Sequence, residues 1–81
     1  MNKNDILAKL QDIIREVVDD EYVVITEVTT ANDVDGWDSL NHVMIIAEIQ
    51  NEFRVKFSST ELGSLKNVGA IVDVIVNKIS L

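Results

Sequence analysis

Trp37-Asp38-Ser39-Leu40-Asn41-His42-Val43-Met44-Ile45-Ile46-Ala47-Glu48-Ile49-Gln50-Asn51-Glu52-Phe53 is the stretch that decides the fold. It reads as a helix over Ser39–Phe53. Asp38 stands at its start, where a short side-chain acceptor can take a first-turn N–H. Ile45, Ile46, Ile49 and Phe53 gather on one side of the wheel and predict a core stripe. Leu40, Val43, Met44 and Ala47 gather on the other. A helix apolar on two faces is normally fully buried. In a chain of 81 residues the second face has little left to pack against, so it reads as a surface for a partner. The competing reading is that the preceding loop folds over it.

Outward from this helix, Asp5–Val18 places Ile6, Leu7, Leu10, Ile13, Ile14, Val17 and Val18 at helical spacing. Asn4 is the expected N-cap, and Asp19-Asp20-Glu21 ends the helix because acidic residues suit its negative end poorly. On the other side, Phe57–Leu62 reads as a short helical turn with a Ser/Thr cap, closing near Gly63. Lys66–Leu81 reads as the last helix, with Asn67 as cap, Lys78 near the negative end, and Val68, Ile71, Val72, Ile75 and Ile79 as its stripe. Gly69 weakens that helix by about 1 kcal/mol relative to Ala, less so in the first turn.

Residues 22–36 are harder to place. Tyr22-Val23-Val24-Ile25-Thr26 has β-propensity, but no second strand is available to pair with it. The segment is expected to be a long ordered loop that pins Val24, Ile25 and Val28 against the helices. The turn-rich run Asn32-Asp33-Val34-Asp35-Gly36 closes it. The expected fold is therefore all-α: a small four-helix bundle of three longer helices and one short one, with a long loop between the first and second. Its expected core includes Ile6, Leu10, Ile14, Ile45, Ile49, Phe53, Val68, Ile71 and Ile75.

Composition bounds the function. The length predicts a single domain spanning 1–81, with one thin core and no deep walled cavity. Fourteen acidic residues against seven basic give a net charge of −7, which disfavours nucleic acid and either favours basic partner surfaces or serves only to keep a small domain soluble. There is no cysteine, so no disulfide and no thiol of its own. No apolar run approaches the ~20 residues of a membrane span, and Met1-Asn2-Lys3-Asn4 lacks the apolar stretch of a signal peptide. A cytoplasmic monomer is expected.

Catalytic constellations are wanting. His42, the single histidine, follows Ser39 by three residues, but a Ser–His pair also needs an orienting acid and an oxyanion site. A supporting role for His42 is the stronger reading. One histidine and no cysteine make zinc a poor fit. Asp33, Asp35 and Asp38 miss the register of an EF-hand, and no Walker-type phosphate loop is present. Trp37 reads first as a core anchor with its N–H satisfied, with a stacking or docking role beside Ser39 as the other reading. No catalytic or metal residue is therefore assigned. Ser39 retains two readings: a plain cap-region serine, or a modification site at the positive end of a helix, where phosphate is favoured.

Gly36-Trp37-Asp38-Ser39-Leu40-Asn41-His42-Val43 resembles the phosphopantetheine attachment motif of acyl carrier proteins, whose signature is Asp-Ser-Leu. The resemblance spans nearly the whole chain, since the order of helices and the exit Phe53-Arg54-Val55-Lys56-Phe57 also match. It implies a carrier, not an enzyme. A phosphopantetheinyl transferase would attach 4′-phosphopantetheine from coenzyme A to Ser39. Asp38 would cap the helix and help engage the transferase. The arm's thiol would hold acyl or aminoacyl groups as thioesters for loading and acyl-transferring enzymes, docking on Leu40, Val43, Met44 and Ala47. Carriers of fatty acid synthesis usually have a strongly acidic second helix. Here only Asp38, Glu48 and Glu52 are acidic, which directs the expectation to specialised pathways: polyketide, nonribosomal peptide, or lipid and polysaccharide modification. The alternative is a helical adaptor of the same fold without an arm.

Overall fold

The computed structural model describes residues 1–79. It contains α1 (Lys3–Val18), a 3₁₀ turn (Ala31–Asp33), α2 (Ser39–Phe53), α3 (Ser59–Leu62) and α4 (Val68–Ile79), with no strand among the described residues. The expected all-helical order is observed. No helix among the described residues is long and apolar enough to cross a membrane.

α1 begins two residues earlier than its apolar periodicity suggests. Asn2, not Asn4, is the N-cap, and its Oδ1 accepts from the Asp5 N–H at 2.9 Å. Two asparagines of equal capping tendency stand two positions apart, and the longer helix gains a further half-turn of backbone hydrogen bonds. The helix stops at Asp19, which adopts the left-handed conformation (φ 57°), while the Asp20 N–H returns to the Arg15 carbonyl at 3.0 Å. Short polar side chains tolerate that conformation best after glycine.

α1 packs against both α2 and α4. Ile6, Leu10 and Ile14 meet Ile45, Ile46 and Ile49 from α2 and Val68, Ile71, Val72 and Ile75 from α4. Each such side chain contributes about 1.5–3 kcal/mol through burial, so this three-sided contact holds the domain without covalent staples. Phe53 departs from expectation: it is half-buried and packs on the margin of the core. It is the last residue of α2 and borders an open depression shared with Met1, Val76 and Ile79.

The loop between α1 and α2 is tied down by polar side chains of α1. Arg15 Nε donates to the Val23 carbonyl at 2.6 Å, and Gln11 Oε1 accepts from the Ile25 N–H at 3.0 Å. These bonds turn Ile25 inward, together with Val34 and Trp37. Val24 and Val28 are not pinned against the helices as expected: they are 72% and 79% exposed. In extended chain, neighbours of an inward residue point outward, so fixing Ile25 turns Val24 away. The loop also contains the 3₁₀ turn, closed by Asp33 Oδ2 accepting from the Thr30 N–H at 2.9 Å.

α3 is one turn long, with Ser58 and Glu61 capping each other reciprocally. α4 starts at Val68, so Lys66 lies outside it, and Asn67 caps it through Oδ1 accepting from the Ala70 N–H at 2.8 Å. Two further N–H groups at its start donate to loop carbonyls: Val68 to Thr29 and Gly69 to Glu27, both at 2.8 Å. The expected end of this helix at Leu81 lies outside the described residues.

Candidate functional site

The start of α2 is built by three successive devices. Gly36 sits at φ 87°, a conformation glycine adopts without strain, and a Cβ there would come 3.2 Å from that of Val18. The chain thus turns tightly against the end of α1. Trp37 then inserts its ring into the core, 8% exposed. Asp38 caps the helix, its Oδ1 accepting from the Asn41 N–H at 2.8 Å. Asn41 reaches back in turn, its Nδ2 donating to the Gly36 carbonyl at 2.7 Å. This reciprocal clasp between the turn and α2 is not legible in the helical periodicity, since it depends on how the turn enters the helix.

The clasp leaves Ser39 at the first helical position, exposed, with no side-chain hydrogen bond among the described residues. Capping belongs to Asp38, so the serine hydroxyl is uncommitted at the positive end of a 15-residue helix. Beside it lies an open depression of about 450 Å³ lined by Ala31, Asn32, Trp37, Asp38, Ser39 and His42.

His42 supports this site. Its Nδ1 accepts from Trp37 Nε1–H at 3.0 Å, with the two rings stacked 6.0 Å apart. The indole N–H that burial would leave without water is thereby satisfied. His42 also borders a second depression, about 350 Å³, lined by Val43, Ile46, Ala47, Gln50 and Leu62 and lying between α2 and α3.

The second apolar face of α2 is bare. Leu40, Val43 and Met44 are 71%, 65% and 50% exposed, and Ala47 is exposed beside them. The loop does not fold over this face, so the competing reading of a covered face falls. Of the acidic residues on α2, Glu52 is engaged by Lys9 at 3.5 Å.

Away from this end, Glu61 is held below the ordinary carboxylate range. The Ser58 backbone N–H is the main cause, followed by Lys78, whose Nζ stands 2.9 Å from Glu61 Oε1. This pair ties α3 to α4.

Three long helices, one short one and a long ordered loop, with a free serine at the head of the second helix, define a helical bundle of acyl carrier type. The chain is 33% identical over 81 residues to the acyl carrier protein of Thermosynechococcus vestitus, across 99% of both chains. It is 33% identical over 82 residues to that of Cyanidium caldarium, across 99% of this chain and 93% of the other. The solution NMR structure of holo acyl carrier protein from Geobacter metallireducens superposes with a TM-score of 0.84 at 42% identity, covering 91% of this chain and 85% of that one. No protein-family model matches the chain. The chain belongs to the acyl carrier protein family.

Proposed function

We propose that this protein is a carrier loaded on Ser39 with 4′-phosphopantetheine, which presents acyl or aminoacyl thioesters to partner enzymes. The observation that carries this reading is the uncommitted Ser39 hydroxyl at the head of α2, with Asp38 doing the capping. The residues present fit the group. Ser39 is exposed to a transferase, an open depression adjoins it, and the helix start favours the negative charge of a phosphodiester. Loading would replace the Ser39 Oγ–H bond by an Oγ–P bond as the pyrophosphate P–O bond of coenzyme A breaks, the adenosine bisphosphate half leaving and the hydroxyl proton passing to a base of the transferase or to solvent. The arm supplies a thiol, which a chain without cysteine cannot supply itself.

The partners are a phosphopantetheinyl transferase and acyl- or aminoacyl-handling enzymes. Leu40, Val43, Met44 and Ala47 form the docking face, and Asp38 supports transferase engagement through the shape of the helix start. This face is apolar, and Glu52 is already paired with Lys9, so docking relies on apolar contact more than on an acidic helix. That supports a specialised pathway over fatty acid synthesis. The carrier works as a single-domain cytoplasmic monomer and catalyses nothing itself.

The test is incubation with coenzyme A and a broad-specificity transferase, followed by intact-mass measurement. A gain of one phosphopantetheine that disappears in Ser39→Ala is expected. No gain would favour an armless adaptor, and a gain surviving Ser39→Ala would place the arm elsewhere.

A further inference from the structure

The Trp37–His42 pair has a consequence for the arm itself. Indole nitrogen is only a donor, and neutral imidazole carries one donor and one acceptor. With Trp37 Nε1–H donating to Nδ1, the neutral His42 ring must carry its proton on Nε2. The ring is thus held as a hydrogen-bond donor. Ser39 and His42 are three residues apart on α2, which places them one above the other on the helix surface. His42 lines the depression that contains Ser39 and also the apolar groove toward Leu62.

The electrostatics of the depression call for such a donor. Asp38 lies in its wall and brings a carboxylate close to whatever anion Ser39 carries. No lysine or arginine is among the residues that line it. The Trp37 N–H is spent on His42, and the Asn41 amide is spent on the Gly36 carbonyl. Asn32 offers an amide, but from an exposed side chain on the 3₁₀ turn. His42 is the one side chain in this wall that combines a fixed ring with a directed N–H.

We propose that His42 is a positioning residue for the prosthetic arm, its Nε2–H donating to the phosphodiester on Ser39 while Trp37 fixes the ring. This inference rests on Ser39 carrying the arm. It assigns Trp37 a role beyond the core: by holding Nδ1, it keeps the donor side of the ring available to the arm.

The experiment uses the loaded protein and phosphorus NMR between about pH 5 and pH 8, the interval in which histidine ordinarily changes charge. A phosphodiester keeps its single negative charge throughout, so movement of its resonance reports a neighbour. The resonance is expected to move with the same midpoint as the His42 ring protons, and ring protons should show nuclear Overhauser contacts to the arm. His42→Gln keeps an acceptor for Trp37 and a donor but cannot titrate. In that variant the phosphorus resonance should stay flat with the arm still attached, which also separates His42 from Asp38. A flat resonance in the wild type, or the same movement in His42→Gln, overturns the proposal. Should the variant fail to fold, the wild-type titration and the contacts decide alone. Failure of Ser39 to load at all is seen separately by mass and overturns the carrier reading along with this one.

Discussion

Gly69 and Glu27 meet backbone to backbone: the Gly69 N–H donates to the Glu27 carbonyl at 2.8 Å, and a Cβ on Gly69 would stand 2.8 Å from that same oxygen. The loop before α2 is docked onto the start of α4 at a point where only a missing side chain leaves room. Helix propensity alone favours Gly69→Ala by about 1 kcal/mol. The close approach reverses the sign, because backbone must move and a loop hydrogen bond is strained. Gly69→Ala is expected to lower stability by about 1–2 kcal/mol, measured by urea unfolding. A stabilised variant would show that the loop yields freely.

Asp38 and Ser39 divide capping and loading between them, and substitution separates the two. Asp38→Ala removes the acceptor for the Asn41 N–H and is expected to lower stability by about 1 kcal/mol. Ser39→Ala is expected to stay within about 0.5 kcal/mol of wild type while abolishing loading. Thermal melts paired with mass measurement check both. A large loss of stability in Ser39→Ala would mean that its hydroxyl is needed by the fold.

The apolar face of α2 should tolerate charge in isolation and fail in company. Val43→Glu and Met44→Glu are expected to change stability by less than about 0.5 kcal/mol, since both side chains are exposed. Transfer from the loaded carrier to its partner enzymes should fall at least tenfold, read as kcat/KM for the carrier. Undiminished transfer would remove this face from docking.

Acid should loosen the tie between α3 and α4 only when Glu61 itself takes up a proton. Glu61 is held below its ordinary value, chiefly by the Ser58 N–H and then by Lys78. A depressed folded-state value means that the stabilisation is present above the unfolded-state value. It is lost as pH falls through the folded-state value. In Lys78→Met, the Glu61 carboxyl is expected to titrate at higher pH than in wild type, followed by carbon NMR of the side chain. Equal midpoints would show that Lys78 contributes nothing to holding α3.

The helices were legible because amphipathic periodicity is written locally. Apolar spacing and Asp38 mark out Ser39–Phe53, and both limits agree with the structure. The short α3 and the Asn67 cap followed from side chains that bond their own neighbours. The ends of α1 and α4 were less legible, since Asn2 competes with Asn4 as cap and Lys66 precedes the cap that actually starts α4. At the candidate site, Asp38, Ser39 and the bare apolar face could be read from the motif and the helical wheel. The reach of Asn41 to Gly36 and the bond between Trp37 and His42 could not, because each depends on how a turn enters the helix.

The sequence by itself determined what local chemistry can encode: three long helices with apolar stripes, the Asp38 and Asn67 caps, an acidic surface, and a serine at a helix start without a thiol anywhere in the chain. The tertiary structure decided the rest. It buried Ile25 and left Val24 and Val28 in solvent, because Gln11 and Arg15 of α1 hold the loop backbone in one orientation. It required glycine at position 69 because the Glu27 carbonyl comes to rest there. It left the second face of α2 uncovered and fixed the tautomer of His42 through Trp37. A segment without periodicity carries no face of its own; which of its residues turn inward is set only when distant side chains bond to its backbone.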